Sequence, residues 1–195
     1  MKTRAMTVTE KLAQYTGGFS YKTLSDLEIH AAKRVLLDML ACAVGAYDSD
    51  AGRIVRSVME EQGGSQESTM IGSRIKVPCA NAALANGAMT RYLDYNDTYF
   101  RMNGTLRFGI HSNELIPAAL AVGERRHASG KDVITAIALA YDLAARFIDA
   151  SFARNLHLRG WHYSSMAGFV VALCAGQLLG ISTEQLANAG CPMRN

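Results

Sequence analysis

Apolar positions recur along this chain mostly three and four residues apart, the spacing of one helix face. The clearest series is Ala32, Val35, Leu36, Met39, Leu40 and Ala43. It follows Ser25-Asp26-Leu27-Glu28, a capping box in which Ser25 caps and Glu28 reaches back. The pattern predicts a helix to about Val44, stopped at Gly45. A more exposed helix is expected over Ala51 to Gln62, ending at Gly63-Gly64, and Ser68 to Gly72 reads as a short strand. Pro78 opens a helix through Ala82, Ala85 and Met89. Further helices are expected over Glu114 to Arg126, Lys131 to Ile148 and Ser164 to Leu179, with a last short one capped by Ser182 and Gln185.

Two stretches break the helical period. Leu93 to Ile110, rich in aromatic, polar and Gly residues, reads as a long loop between helices. Loops of that length inside a domain are commonly functional. Ser151 to Tyr163 is the second irregular stretch. Ala and Gly are frequent on the helix faces and let backbones approach closely. The expected fold is therefore all-α: a compact helical bundle with little sheet, one domain over residues 1–195.

Composition narrows the function classes. With 49% hydrophobic residues, 195 residues suffice for one real core, and 19% charged residues argue against disorder. The net charge of +3 is spread out, with no Lys or Arg run, so no nucleic-acid partner is expected. The four cysteines form no CxxC pair and have no His at ligand spacing, so no metal is expected. Cys42 and Cys174 read as small apolar core residues, and this usage fits a reduced, cytoplasmic compartment. Met1 to Glu10 has no apolar run of the signal-peptide kind. The longest apolar run, Ala167 to Leu179, is broken by Gln177 and is too short to span a bilayer, so no membrane role is expected.

The candidate chemistry lies in the two irregular stretches. The first holds Asp94, Asp97, Thr98 and Arg107, followed by His111; the second holds His157, Arg159 and His162. A pocket built from both would gather carboxylate, hydroxyl, guanidinium and imidazole groups. That set suits removal of a proton beside a carboxylate. Imidazole is a base near neutral pH, the enediolate needs hydrogen-bonding or cationic partners, and a departing hydroxide needs a proton. Each residue also has an ordinary reading. An Asp beside a Thr serves turns and caps, His111 can lead into a helix, His162 beside Trp161 can pack as a wall, and Arg107 can be a surface cation. The residues alone leave both readings open. His30 and His127 read as exposed helix residues.

The order of segments resembles the MmgE/PrpD family over nearly the whole chain. The segments are AKRVLLDMLACAVGA, MIGSRIKVPCANAALANGAMTRYLDYNDTY, HSNELIPAALAVGE, SGKDVITAIALAYDLAARF, GWHYSSMAGFVVAL and LLGISTEQLANAG. That family includes 2-methylcitrate dehydratase, cis-aconitate decarboxylase and an iminodisuccinate epimerase. The resemblance implies a large helical domain followed by an α+β lid domain, a site in the cleft between them, a homodimer, and no metal or other cofactor. Carried over by position, Asp94 and Thr98 match the family's acidic loop, His111 the His after it, and His162 the His of its Gly-aromatic-His motif. These four are the implied catalytic residues; Arg107 and Arg159 are the candidate cations for substrate carboxylates. The implied activity is a hydro-lyase acting on a hydroxy-tricarboxylate of the 2-methylcitrate type. Decarboxylation of cis-aconitate or epimerisation of a dicarboxylate are the family alternatives, and which imidazole is the base stays open.

The sequence departs from the family pattern at Asn96, where a second acid is usual, at Tyr99, where His is usual, and at Ser112, where Pro is usual. The spacing from Thr98 to His111 is also longer than in many members. The family's lysines and lid lie beyond Asn195, so this stretch alone is expected to show little or no activity. The reading from another class is a catalytically silent dimerisation module that uses the apolar helices from Glu114 and Ser164.

Overall fold

The computed structural model describes residues 5–104, 106–154 and 156–190, without the side chains at 103, 106, 107 and 157. Its helices begin where polar side chains can hold the free backbone N–H groups. Thr7 with Glu10, Ser25 with Glu28, Ser129 with Asp132 and Ser182 with Gln185 each form a complete capping box. They open α1 (Val8–Gly18), α2 (Asp26–Gly45), α6 (Gly130–Ala153) and α8 (Thr183–Ala189). Between them lie α3 (Asp50–Gln62), α4 (Cys79–Tyr92), α5 (Ile116–Arg125) and α7 (Tyr163–Leu179). The fold is an all-α bundle, as expected, with two small antiparallel sheets among the described residues. Sequence reading left α1 unassigned, although Thr7 and Glu10 carry the same signal as the other boxes.

α6 is the central helix. It packs against α2, α5 and α7, and its Ile137, Leu139, Leu143 and Ile148 are fully buried. Each such side chain contributes about 1.5–3 kcal/mol by leaving water. α5 lies between α4 and α7, with Ile116, Ala119 and Ala121 inside, so it is a core helix rather than a free apolar face. Cys42 and Cys174 are buried, as is Cys79. The expected strand at Ser68 is the two-residue β1 (Ser68–Thr69), paired with β2 (Lys76–Val77). Glu124 locks this ribbon to α5, accepting from the Thr69 N–H and hydroxyl, both at 2.6 Å.

Three expectations change. The stretch Leu93 to Ile110 is not an open loop: it contains a hairpin of β3 (Tyr99–Asn103) and β4 (Leu106–Ile110). Asn103 still pairs with Leu106, and Gly104 beyond it has φ 59°, in the left-handed region that glycine favours. Second, the helix expected from Glu114 starts at Ile116, after a 3-10 turn over Ser112–Leu115, and α6 runs past Ile148 to Ala153 because Ser151 still faces the core. Third, His127 is not a helix residue. It has φ 51° in the turn after α5, where the Ala128 N–H closes on the Gly123 carbonyl at 2.9 Å.

The hairpin is tied to α6 from one face. Tyr99 pairs with Ile110 and Arg101 with Phe108, so these four side chains point the same way. Phe108 and Ile110 enter the core. The Tyr99 hydroxyl donates to Asp149 at 2.7 Å, and Arg101 grips both Asp149 oxygens at 2.6 and 2.7 Å. Phe100 and Met102 point outward and are exposed.

Two outcomes follow. A methyl on Gly109 would lie 2.5 Å from the Tyr99 carbonyl oxygen and 2.7 Å from the Phe100 Cβ, so the strands would have to part. Gly109→Ala is expected to cost about 1–3 kcal/mol in urea unfolding. Asp149 titrates below its ordinary 3.8, chiefly because Arg101 hydrogen-bonds its ionised form. Its contribution is therefore complete above that pH and is lost as pH falls through the lower folded value. Asp149→Asn should lower the melting temperature at neutral pH by a small amount, since the pair is partly exposed, and the difference should shrink below pH 3.8.

Candidate active site

The hairpin register builds the first part of the site. Because Tyr99 faces Ile110, the next residues outward, Thr98 and His111, also face each other. The Thr98 hydroxyl lies 3.2 Å from His111 Nδ1, and the Asp97 carbonyl oxygen lies 2.8 Å from the same nitrogen. The Asn113 N–H donates to the Asp97 carboxylate at 3.0 Å, which ties this loop to the 3-10 turn. Asn96 completes the tie, donating to the Asn113 side-chain oxygen at 2.9 Å and to the Thr90 carbonyl at 3.2 Å. Asp97 also faces α6: it and Asp38 are the carboxylates whose charge, after burial, pushes the Tyr141 phenol up, so that hydroxyl stays protonated.

The second part starts where α4 ends. Asp94 adopts φ 56°, a left-handed conformation that Asp tolerates, and its exposed carboxylate folds back onto Arg91 in a close ion pair. Arg91 Nε pairs with Glu114 at 2.9 Å, and the Asn96 side-chain oxygen lies 3.4 Å from the same guanidinium. The Tyr163 hydroxyl donates to Glu114 at 3.4 Å. Burial pushes the Glu114 carboxyl up, and the Arg91 and His111 charges pull it back. Burial and then the Glu114 charge push the Tyr163 phenol up, so it remains a donor.

Tyr163 joins the two imidazoles. Its ring meets His111 edge-on at 5.7 Å between centroids and His162 at 4.2 Å. His162 is the N-cap of α7: its Nδ1 lies 2.8 Å from the Ser164 hydroxyl and accepts from the Ser164 N–H at 3.4 Å. One chain of contacts thus runs Asp94, Arg91, Glu114, Tyr163, with His111 and His162 both against the Tyr163 ring and Thr98 on His111. Among the described residues no group of three His, Cys, Asp or Glu side chains is arranged to hold a metal.

The structure therefore gathers Asp94, Thr98, His111 and His162 on one network. It does not bring Arg159 there: Arg159 is exposed on a 3-10 turn, with no polar partner among the described residues. The Arg107 backbone pairs with Met102, and its side chain lies outside the described ones. Sequence reading missed Arg91, Glu114 and Tyr163. Arg91 looked like the end of a helix and Glu114 like the start of one, and Tyr163 was overshadowed by its neighbour His162. A cavity of about 620 Å³ lies elsewhere, lined by Tyr21, Arg126, His127 and Gln177. Volume alone does not make a site; the converging polar groups are at His111, on an open face where Asp94, Thr98 and His162 are exposed.

The network makes Arg91 testable. Arg91→Gln leaves a half-buried Glu114 carboxylate without its cation. It should cost about 1–3 kcal/mol at neutral pH, held to the low end by exposure. The cost should shrink in acid, where the raised Glu114 carboxyl takes up a proton, and largely vanish with Glu114→Gln in the same chain. Urea titrations of the four variants of that cycle measure it.

Residues 10–190 match the MmgE/PrpD N-terminal domain. The human cis-aconitate decarboxylase is 25% identical over 198 aligned residues, covering 96% of this chain and 41% of that protein. The cis-aconitate decarboxylase-like protein oryM of Aspergillus oryzae is 26% identical over 171 residues, covering 83% of this chain and 34% of that protein. The chain spans well under half the length of these relatives.

Proposed function

The chain belongs to the MmgE/PrpD family through its N-terminal domain, and from that premise we propose that it forms the imidazole-bearing wall of a lyase site for a small tricarboxylate. The observation that carries this reading is the pair of imidazoles in ring contact with Tyr163, with Thr98 against one of them. An imidazole there can take a proton from the carbon beside a substrate carboxylate. The Thr98 hydroxyl and the second imidazole are hydrogen-bonding groups for the oxygens on which charge then collects. In dehydration the carbon–oxygen bond breaks as the double bond forms, and the proton taken from carbon leaves with the hydroxyl as water.

Charge supports a shared site. Asp94, Asp97 and Glu114 are three carboxylates near the imidazoles, and Arg91 is the guanidinium that touches this group among the described residues. Such a wall is acidic, whereas a tricarboxylate is a polyanion. Substrate therefore needs cations from outside these residues, the role that the family resemblance gives to lysines of its second half. A homodimer and a cytoplasmic setting belong to the same proposal. No helix among the described residues is long and apolar enough to cross a membrane.

Dehydration of a 2-methylcitrate-type substrate is the first reading. Decarboxylation of cis-aconitate is the second, favoured by the names of both curated relatives. Both need a proton moved at a carbon beside a carboxylate, so the wall suits either. Incubating the full-length protein with each acid and following products by NMR decides between them. Loss of water from 2-methylcitrate supports the first, carbon dioxide from cis-aconitate the second, and inertness toward both sinks the lyase reading. His111→Gln is expected to lower kcat about 10²–10⁴-fold.

A further inference from the structure

The two imidazoles differ in what their Nδ1 atoms face. His111 Nδ1 lies 2.8 Å from the Asp97 carbonyl oxygen. A carbonyl oxygen can only accept, so that nitrogen must carry a hydrogen. The Thr98 hydroxyl, 3.2 Å away, then accepts from it as well, and the Thr98 O–H remains available for another oxygen. His162 Nδ1 faces the Ser164 N–H at 3.4 Å. A backbone N–H can only donate, so that nitrogen must present a lone pair, and the Ser164 hydroxyl at 2.8 Å can donate to it too. A neutral imidazole carries one hydrogen, so its placement on one nitrogen decides what the other offers.

We infer that the backbone sets opposite tautomers on the two histidines and so divides their roles: His111 presents a basic Nε2, and His162 presents an Nε2–H donor. The division rests on the lyase reading and settles which imidazole acts as base. In the first step His111 Nε2 takes the proton from the carbon beside the carboxylate. The carbon–hydrogen electron pair becomes the π bond of the enediolate, and His111 becomes an imidazolium. His162 gives up no proton; its Nε2–H hydrogen-bonds an enediolate oxygen. Asp97 is the positioning residue for His111. Its carboxylate, held by the Asn113 N–H at 3.0 Å, fixes the loop that aims its own carbonyl at Nδ1. The charged and titratable groups that face His111 are Glu114 from the 3-10 turn and Tyr163 from α7.

Nitrogen NMR of the full-length protein with 15N-labelled histidine tests this without substrate. The spectra are taken at a pH where both rings are neutral, and His111→Gln and His162→Gln identify the signals. The hydrogen is expected on Nδ1 of His111 and on Nε2 of His162; the reverse at either ring overturns the assignment. Solvent deuterium exchange into 2-methylcitrate or cis-aconitate then tests the roles. Gln at 162 still offers an N–H and should keep exchange within about tenfold, whereas His162→Ala should lose about 10²–10³-fold. Gln at 111 offers no base and should lower exchange about 10²–10⁴-fold. Tolerance of Gln at 111 but not at 162 would reverse the roles. If the tautomers stand but neither acid exchanges or reacts, the lyase reading has failed and the tautomer assignment has not. Asp97→Ala should shift His111 toward the ordinary Nε2–H form and lower kcat about 10–100-fold with little change in KM. An unchanged His111 spectrum in that variant would remove Asp97 from the positioning role.

Discussion

The pairing of Tyr99 with Ile110 is the contact on which the site depends. Side chains on paired strands alternate faces, so a slip of one residue would turn Ile110 out of the core and move His111 away from Thr98. The register is held by burial and by charge together. Phe108 and Ile110 are anchored in the same core as Leu143 and Ile148, while Tyr99 and Arg101 converge on Asp149 of the same helix. The position of the imidazole is thus inherited from the packing of α6, although His111 lies in neither strand nor helix.

Much of the helical frame was legible because its signals are local. A Ser with an acid or amide three residues later, followed by apolar residues at helical spacing, specifies a start and a face without reference to the rest of the chain. Asp94, Thr98, His111 and His162 were singled out through a resemblance of motifs rather than through spacing, and packing brings them onto one contact network. The hairpin was not. Its strands are five residues each, and Phe100 and Met102 lie on the outward face while Arg101 lies on the inward one, so the usual apolar–polar alternation is lost. Gly104, at positive φ, was the available signal, and it was hidden in a stretch already read as loop. The spacing from Thr98 to His111 is longer than in many members of the family; the hairpin takes up that length and brings one residue to the other.

Arg91, Glu114 and Tyr163 were illegible for a different reason. Each is unremarkable in its own element, and only the packing of α4, the 3-10 turn and α7 makes them neighbours. Their function in the fold is electrostatic. Glu114 lies where burial disfavours its charge, and Arg91 and the Tyr163 hydroxyl offset part of that cost. Asn96, where the family pattern has an acid, acts as a neutral strap between Thr90, Asn113 and Arg91. An additional carboxylate there would place more negative charge beside Glu114, so the substitution keeps the strap and spares the local charge balance.

The hairpin also separates reach from alignment. Thr98 and His111 stand at its open end, whereas Phe100 and Met102 stand exposed toward its tip. Residues added or removed in matched pairs near Gly104 would lengthen or shorten the ribbon and leave the pairing at its base intact. The chain can thus carry different contact surfaces at that tip over one fixed imidazole–hydroxyl pair, so that specificity and chemistry can diverge at different rates within a single element.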